Sequence, residues 1–192
     1  MKTVLFVPAR KGSTGIKGKN LVKLKGKPLI NYTLEICNEF PKKFILFVSS
    51  DSKKILKQAK NFGFKENYVR PKKLSTSKSN VVDSIIHGIE WLKKEKKVEI
   101  EDVILLQPTS PLRRYSDLIK AYKIYKNKKL SSLTAVTKVR ENSLGHLRLS
   151  KNKQKWKFLY KSKKKLFRRQ DFPRGHYILN CSFYFCNYNF LK

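Results

Sequence analysis

The amino-acid sequence predicts an α/β fold, a mainly parallel sheet with helices on both faces. Short, uninterrupted apolar runs recur at Thr3–Val7, Phe44–Val48 and Val103–Leu106, the pattern of strands buried on both sides. Stretches with the 3.6-residue period of amphipathic helices separate them. Each run also ends in a polar tip, at Arg10 to Asn20, Ser49 to Asp51 and Gln107 to Ser110. Open α/β sheets bind ligands beyond the carboxyl ends of their strands, so the three tips are expected to converge on one site.

Met1 to Pro8 reads as the first strand. Pro28 to Cys37 follows as a helix, with proline in its first turn and Leu29, Ile30, Leu34 and Cys37 as its apolar residues. Phe44 to Val48 is the second strand, and Asp51 in its polar tip reads as the cap of a helix over Ile55 to Phe62. Val81 to Lys94 is the clearest amphipathic helix, with Val82, Ile85, Ile86, Ile89 and Leu92 on one face, and His87 reads there as a packed or surface histidine. Val103 to Leu106 is the third strand, followed by a helix over Asp117 to Tyr125 and a strand over Leu133 to Val139. The order βαβαβα describes three layers. Beyond Glu141 the pattern changes to short hydrophobic-aromatic runs, Trp156 to Tyr160 and Tyr177 to Phe185. These read as an antiparallel flap or dimerisation arm, or as extra edge strands. Residues 1–192 are expected to form one domain, with 141–180 as a small antiparallel arm within it.

At 192 residues the chain has room for a sizeable core. It has no apolar stretch long enough for a membrane span, and its opening lacks the long apolar region of a signal peptide. Three cysteines and three histidines are scattered without metal-ligand spacing, which points to a reduced cytoplasmic protein without a zinc site. With 45 Lys and Arg against 13 Asp and Glu, the formal net charge is +32, which raises a nucleic-acid reading. The cations are spread over the whole chain, however, in runs such as Lys93-Lys94-Glu95-Lys96-Lys97 that fill solvated helix ends and turns. No specific nucleic-acid partner is expected, although a positive field steers anionic substrates.

The first strand spills into Pro8-Ala9-Arg10-Lys11-Gly12-Ser13-Thr14-Gly15-Ile16-Lys17-Gly18-Lys19-Asn20. Glycines let the backbone approach phosphate oxygens, while Arg10 and Lys19 supply countercharge. Gly12, Gly15 and Gly18 fall at i, i+3 and i+6, which is not the G-x-G-x-x-G of a dinucleotide loop. Gly18-Lys19 is followed by Asn20, which is not a P-loop ending. The expected ligand is a nucleotide held in some other way.

With these segments in order, the chain resembles the acylneuraminate cytidylyltransferases, the CMP-sialic acid synthetase family. The matching pieces are Pro8-Ala9-Arg10 with Gly12-Ser13, Gly15 and Lys19-Asn20; Gly26-Lys27-Pro28-Leu29-Ile30; Val48-Ser49-Ser50-Asp51; Arg70-Pro71 with Leu74; Leu105 to Arg113; and Arg168-Arg169-Gln170-Asp171 with Pro173. The resemblance implies a three-layer Rossmann-like sheet of the nucleotide-diphosphosugar transferase type. It also implies a reaction in which the anomeric hydroxyl of a sialic-acid-like nonulosonic acid attacks the α-phosphorus of CTP, giving the CMP-sugar and pyrophosphate. Such transfers depend mainly on positioning and charge neutralisation.

By the same resemblance, Arg10, Ser13, Lys19 and Asn20 are the triphosphate contacts and Arg70 meets the cytidine, with Arg10, Lys19 and Gln107 the catalytic set. Gln107, Thr109 and Ser110 meet the sugar, Arg169 reaches its carboxylate, and Asn180 and Tyr184 close its pocket. A homodimer is implied, since in the family that arginine often comes from the partner subunit. Read from the residues alone, a solvated loop position is the lesser reading of Arg70, Tyr184 fits a core aromatic equally, and Arg113 fits a residue that orients the loop after Pro111.

The chain also departs from the family pattern. Thr14 stands where a lysine is common, and Lys73 and Ser77 replace acidic residues near Leu74. Asn180-Cys181-Ser182 stands where the family has Asn-Gly-Ala, and Ile178 where it has a neighbouring arginine. The resemblance implies Mg2+, yet the family's paired metal-binding aspartates fall in a segment beyond the position of Lys192. The alternatives are therefore a truncated, non-catalytic nucleotide-binding homologue or a subunit that needs another chain for the acidic segment; a basic nucleic-acid-binding protein is a lesser alternative that rests on the net charge alone.

Overall fold

The computed structural model describes residues 2–13, 15–65, 67–139, 144, 146–150, 153–160 and 175–192. They divide into two compact units, residues 1–134 with 181–192, and residues 135–180. In the first unit, β1 (Lys2–Pro8), β4 (Ile45–Ser49) and β5 (Ile100–Leu105) form the parallel heart of a five-stranded sheet. Strand order is β4-β1-β5-β9-β6, with β6 at Ser132–Lys138 and β9 at Tyr177–Asn187. β9 runs antiparallel to β5, pairing Val103 with Cys186 and Leu105 with Tyr184.

The predicted strands and helices are all present, with ends shifted by a few residues. α1 spans Leu29–Asn38, α2 Lys53–Lys60, α3 Val81–Lys96 and α4 Tyr115–Asn127. The aromatic run at Tyr177 to Phe185, expected in a flap, an arm or at an edge, belongs instead to β9, which lies between β5 and β6. Alternation explains the placement, because Phe185 is 1% exposed and packs into the same core as Tyr125 and Ile104. What makes β9 an interior strand is its place between β5 and β6, and the Phe185 ring is covered from the α4 side by Tyr125.

β1 is buried on both faces. Leu5 and Val7 join Ile30, Leu34, Ile55 and Leu118 in one core. Val4 and Phe6 join Phe47, Ile85, Ile89 and Tyr188 in the other. α3 lies closest to the sheet at Gly88, where a Cβ would sit 2.8 Å from the Phe47 ring and 2.9 Å from Phe6. The helix is capped by Asn80, whose side chain accepts from Val82 N at 2.9 Å, and ends at Lys97 in the left-handed region with φ 51°.

The sequence reading did not contain the hairpin of β2 (Lys23–Leu24) and β3 (Lys27–Pro28). Lys25 (φ 47°) and Gly26 (φ 82°) form its two-residue turn, in which both residues are left-handed as a tight antiparallel connection requires. α5 (Tyr188–Leu191) also went unread; it buries Tyr188 against the α3 side of the sheet.

In the second unit, β7 (Leu147–Leu149) and β8 (Trp156–Phe158) form an antiparallel pair, closed where Ser150 N meets Lys155 O at 2.8 Å. Val139 N bonds to His176 O at 3.0 Å, and Asn180 Nδ2 donates to Thr137 Oγ1 at 3.1 Å.

Candidate functional site

The carboxyl ends of β1 and β5 open onto a cleft of about 230 Å³ within the first unit, while the tip of β4, Ser49 to Asp51, does not line it but holds residues that do. Its β1 side is the glycine-rich loop, tied down by polar contacts at both ends. Ala9 N bonds to Ser49 O at 2.9 Å, and Lys11 N donates to Asp51 Oδ1 at 2.7 Å. Asn20, 6% exposed, donates from Nδ2 to the Arg10 carbonyl at 3.0 Å and so closes the loop on itself. Gly18, with φ 64°, turns the chain into the short 3-10 helix Lys19–Leu21. Arg10, Ser13, Gly15, Lys19 and Asn20 then face the cleft.

Asp51, read from sequence as a helix cap, does a different job. The cap of α2 is Ser52, which accepts from Ile55 N at 3.4 Å, whereas the Asp51 carboxylate holds the phosphate-type loop. Ser, Asp and Asn all cap helices, so local pattern alone did not separate the two neighbours.

Arg70 enters from the connection between α2 and α3. It is 5% exposed, donating from Nε to Ser49 Oγ at 2.8 Å and from its terminal nitrogen to Ser49 O. Burial pulls its pKa below the usual arginine value; Tyr68 and Asp51 oppose the shift and Arg10 adds to it. A guanidinium held this way is a built wall of the cleft rather than a solvated loop residue. Arg10 reaches across the cleft mouth, donating to the Thr76 carbonyl at 2.7 Å.

Thr76, Ser79 and Ser84 add hydroxyl groups to the same cleft, a contribution the sequence reading missed. Ser79 Oγ donates to Lys73 O at 3.0 Å and accepts from Thr76 N at the same distance. The Ser- and Thr-rich stretch from Ser75 to Ser79 was the available signal, since such clusters build side-chain-to-backbone turns.

Gln107, Pro108 and Thr109 supply the β5 side of the cleft. Ser110 does not bound it; its hydroxyl donates to Cys181 O on β9 at 3.2 Å. Tyr184 also faces β9's own chain, donating to Cys181 Sγ at 3.2 Å, and that bond together with burial pushes the phenol up to about 12. Asn180 lies in the second unit, where its amide bonds to Thr137. Arg169 lies outside the described residues. His87 is a packed residue, as the sequence reading had it: its Nδ1 shares a hydrogen bond with the Tyr68 hydroxyl at 3.0 Å.

The described cleft lining carries Arg10, Lys19 and Arg70 and no carboxylate, and no group of three or more His, Cys, Asp or Glu side chains gathers among the described residues. This donor set suits an anion with several oxygens. It does not fit Mg2+, a hard cation that takes carboxylate and water oxygens.

A family model described as cytidylyltransferase matches residues 4–189. Over 138 residues the chain is 32% identical to the N-acylneuraminate cytidylyltransferase of Escherichia coli, an alignment covering 71% of this chain and 32% of that protein. Over 185 residues it is 30% identical to a pseudaminic acid cytidylyltransferase of Campylobacter jejuni, covering 96% of this chain and 78% of the relative. The chain thus spans about a third of the first relative's length and about three quarters of the second's. Among solved structures, a CMP:2-keto-3-deoxy-manno-octonic acid synthetase complexed with CTP superposes with a TM-score of 0.66 at 22% identity, covering 100% of this chain and 76% of the other. That likeness shows the fold.

Proposed function

The chain belongs to the cytidylyltransferase family, and from that premise we propose that its cleft binds CTP and transfers CMP to the anomeric hydroxyl of a nonulosonic acid, releasing pyrophosphate. One observation carries this reading. Arg10, Ser13, Lys19 and Asn20 come together with Arg70, Gln107 and Thr109 in a single cleft, although they lie on three separate segments of the chain. The names of the relatives supply the substrate class, sialic and pseudaminic acids.

In this reading the loop amides with Arg10 and Lys19 hold the triphosphate, and Arg70 stands on the cytidine side. Gln107 and Thr109 orient the sugar hydroxyl toward the α-phosphorus. The chemical work is charge stabilisation of the phosphoryl oxygens as the hydroxyl oxygen forms its bond and pyrophosphate departs. The resemblance implies Mg2+, but the described cleft residues do not fit it. Residues 141–180, with Arg169 and Asn180, are assigned to the sugar side or to a homodimer contact on the strength of the resemblance. A cytoplasmic location belongs to the same reading; among the described residues no helix is long and apolar enough to cross a membrane.

The test is pyrophosphate release by the purified chain with CTP, Mg2+ and N-acetylneuraminate or pseudaminate. Release dependent on both CTP and a sugar is expected; no release with any sugar, beside an active relative, overturns the reading. The cationic donor set favours one second reading, nucleotide binding without turnover. CTP binding in calorimetry with no pyrophosphate would select it.

A further inference from the structure

Arg113 carries a buried guanidinium, 8% exposed, whose hydrogen-bond partners are all neutral. Nε donates to Ser182 O on β9 at 2.7 Å, one terminal nitrogen to Thr33 Oγ1 on α1 at 3.3 Å, and the other to Gln107 O at the end of β5 at 2.8 Å. Burial lowers its pKa to about 10, opposed by the Cys37 thiol nearby. Burying a charge is unfavourable for stability unless its hydrogen bonds are made, and Arg113 makes three. What an apolar residue lacks is a planar fork that joins three elements at once.

The clasp acts on the tip that forms one wall of the cleft. Gln107 O also accepts from Ser110 N at 3.3 Å, so the turn closes on the carbonyl that Arg113 holds. Ser110 Oγ adds a second tie, to Cys181 O. In a regular strand successive carbonyls point to opposite sides, yet those of Cys181 and Ser182 both accept from the segment between Gln107 and Arg113. Cys181 has φ 58°, and this left-handed residue breaks the alternation and turns both carbonyls to the tip. Arg113 itself does not bound the cleft, whereas Gln107 and Thr109 do.

We propose that Arg113 is a positioning residue for the acceptor half of the cleft: it fixes the Gln107 carbonyl and so sets the direction in which Gln107 and Thr109 meet the sugar. The proposal rests on the functional reading above for the word acceptor, and on geometry alone for the clasp. None of Arg113's hydrogen bonds reaches the loop from Arg10 to Asn20 or Arg70, so the nucleotide half is expected to be unaffected.

The test compares the full chain with Arg113→Gln and Arg113→Lys. Hydrogen exchange is expected to quicken at the non-proline amides of residues 105–112 in both variants, by about tenfold or more for loss of a charged hydrogen bond, while β1 and β4 keep their protection. CTP affinity should stay within about threefold, and KM for N-acetylneuraminate should rise about tenfold with KM for CTP unchanged. Lysine restores charge without the fork, so it should rescue little. Thr33→Val, which removes one partner and leaves the charge, should give a smaller rise and carries the test if Arg113→Gln does not fold. Unchanged exchange at 105–112, or equal shifts in both KM values, overturns the proposal. If the wild-type chain releases no pyrophosphate with any sugar, the functional reading fails, and the exchange and CTP-binding results decide the clasp by themselves.

Discussion

The two walls of the cleft are held in different ways. The loop from Arg10 to Asn20 is tied at its ends, while Lys11, Gly12, Gly15 and Lys17 between them are exposed. The tip from Gln107 to Arg113 is fixed from inside the fold, by a buried guanidinium and by carbonyls from a strand far along the chain. The first wall presents charge that a phosphate can neutralise, and the second presents a geometry settled before ligand arrives. Arg70 belongs with the second kind although it lines the cleft beside the loop, because Ser49 holds it in the interior. Mutations should therefore separate into those that cost stability and those that cost binding.

Arg70→Leu is expected to show the largest effect. It removes two hydrogen bonds to Ser49, whose carbonyl keeps Ala9 N as a donor, so urea unfolding should report a loss of about 1–3 kcal/mol together with loss of CTP binding. Unchanged stability would move Arg70 to the exposed class. Lys19→Ala should do the opposite, weakening CTP binding by about 10- to 100-fold in calorimetry while stability stays within about 0.5 kcal/mol. A destabilised protein with intact affinity would make the loop a structural element.

Alkaline pH sharpens the contrast at the buried wall. Cys37 on α1 is fully buried near Arg113, and burial raises its thiol from 9.0 to about 12, with Arg113 opposing the shift. The folded state therefore keeps a proton that the unfolded chain releases. The stabilisation is complete below pH 9 and is lost as pH rises toward 12, with a slope of up to about 1.4 kcal/mol per pH unit. Arg113, lowered to about 10, contributes the opposite slope above that pH, so urea unfolding between pH 9 and 10 should show stability falling more steeply in the wild type than in Cys37→Ala. Equal slopes would mean that the thiol is not sealed in the core.

Cys181→Gly probes the smallest difference. The left-handed backbone at φ 58° is strained for a residue with a Cβ, and glycine relieves it, offset in part by glycine's greater unfolded-state entropy and by loss of the Tyr184 contact. A gain of about 0.5–1 kcal/mol in thermal or urea unfolding is expected. A loss would show that the thiol contact with Tyr184 outweighs the strain.

Much of the fold was legible because its signals are local. Leu5 and Val7 alternate with Val4 and Phe6 between the two cores, and α3 keeps its apolar face in register with the sheet. The candidate phosphate cations were legible for the same reason, since Arg10 and Lys19 stand in one glycine-rich loop. The run ending at Phe185 was misplaced because an apolar-aromatic strand reads alike in a flap, at an edge or inside a sheet. Only its partners distinguish these, and β5 and β6 flank it. Asp51 was misread because its partner, Lys11 N, lies 40 residues away.

By itself, then, the sequence determined the α/β class, the order of the elements, and the residues at the three strand tips that resemble a cytidylyltransferase. The tertiary structure decided which of those residues share a cleft, which are turned away from it, and what holds each in place. The reason is range. Hydrophobic period and turn chemistry act over a few neighbours and are written along the chain, whereas Arg10 meets Thr76 across 66 positions and Arg113 meets Ser182 across 69. Contacts of that separation exist only once the two cores have packed the strands against their helices.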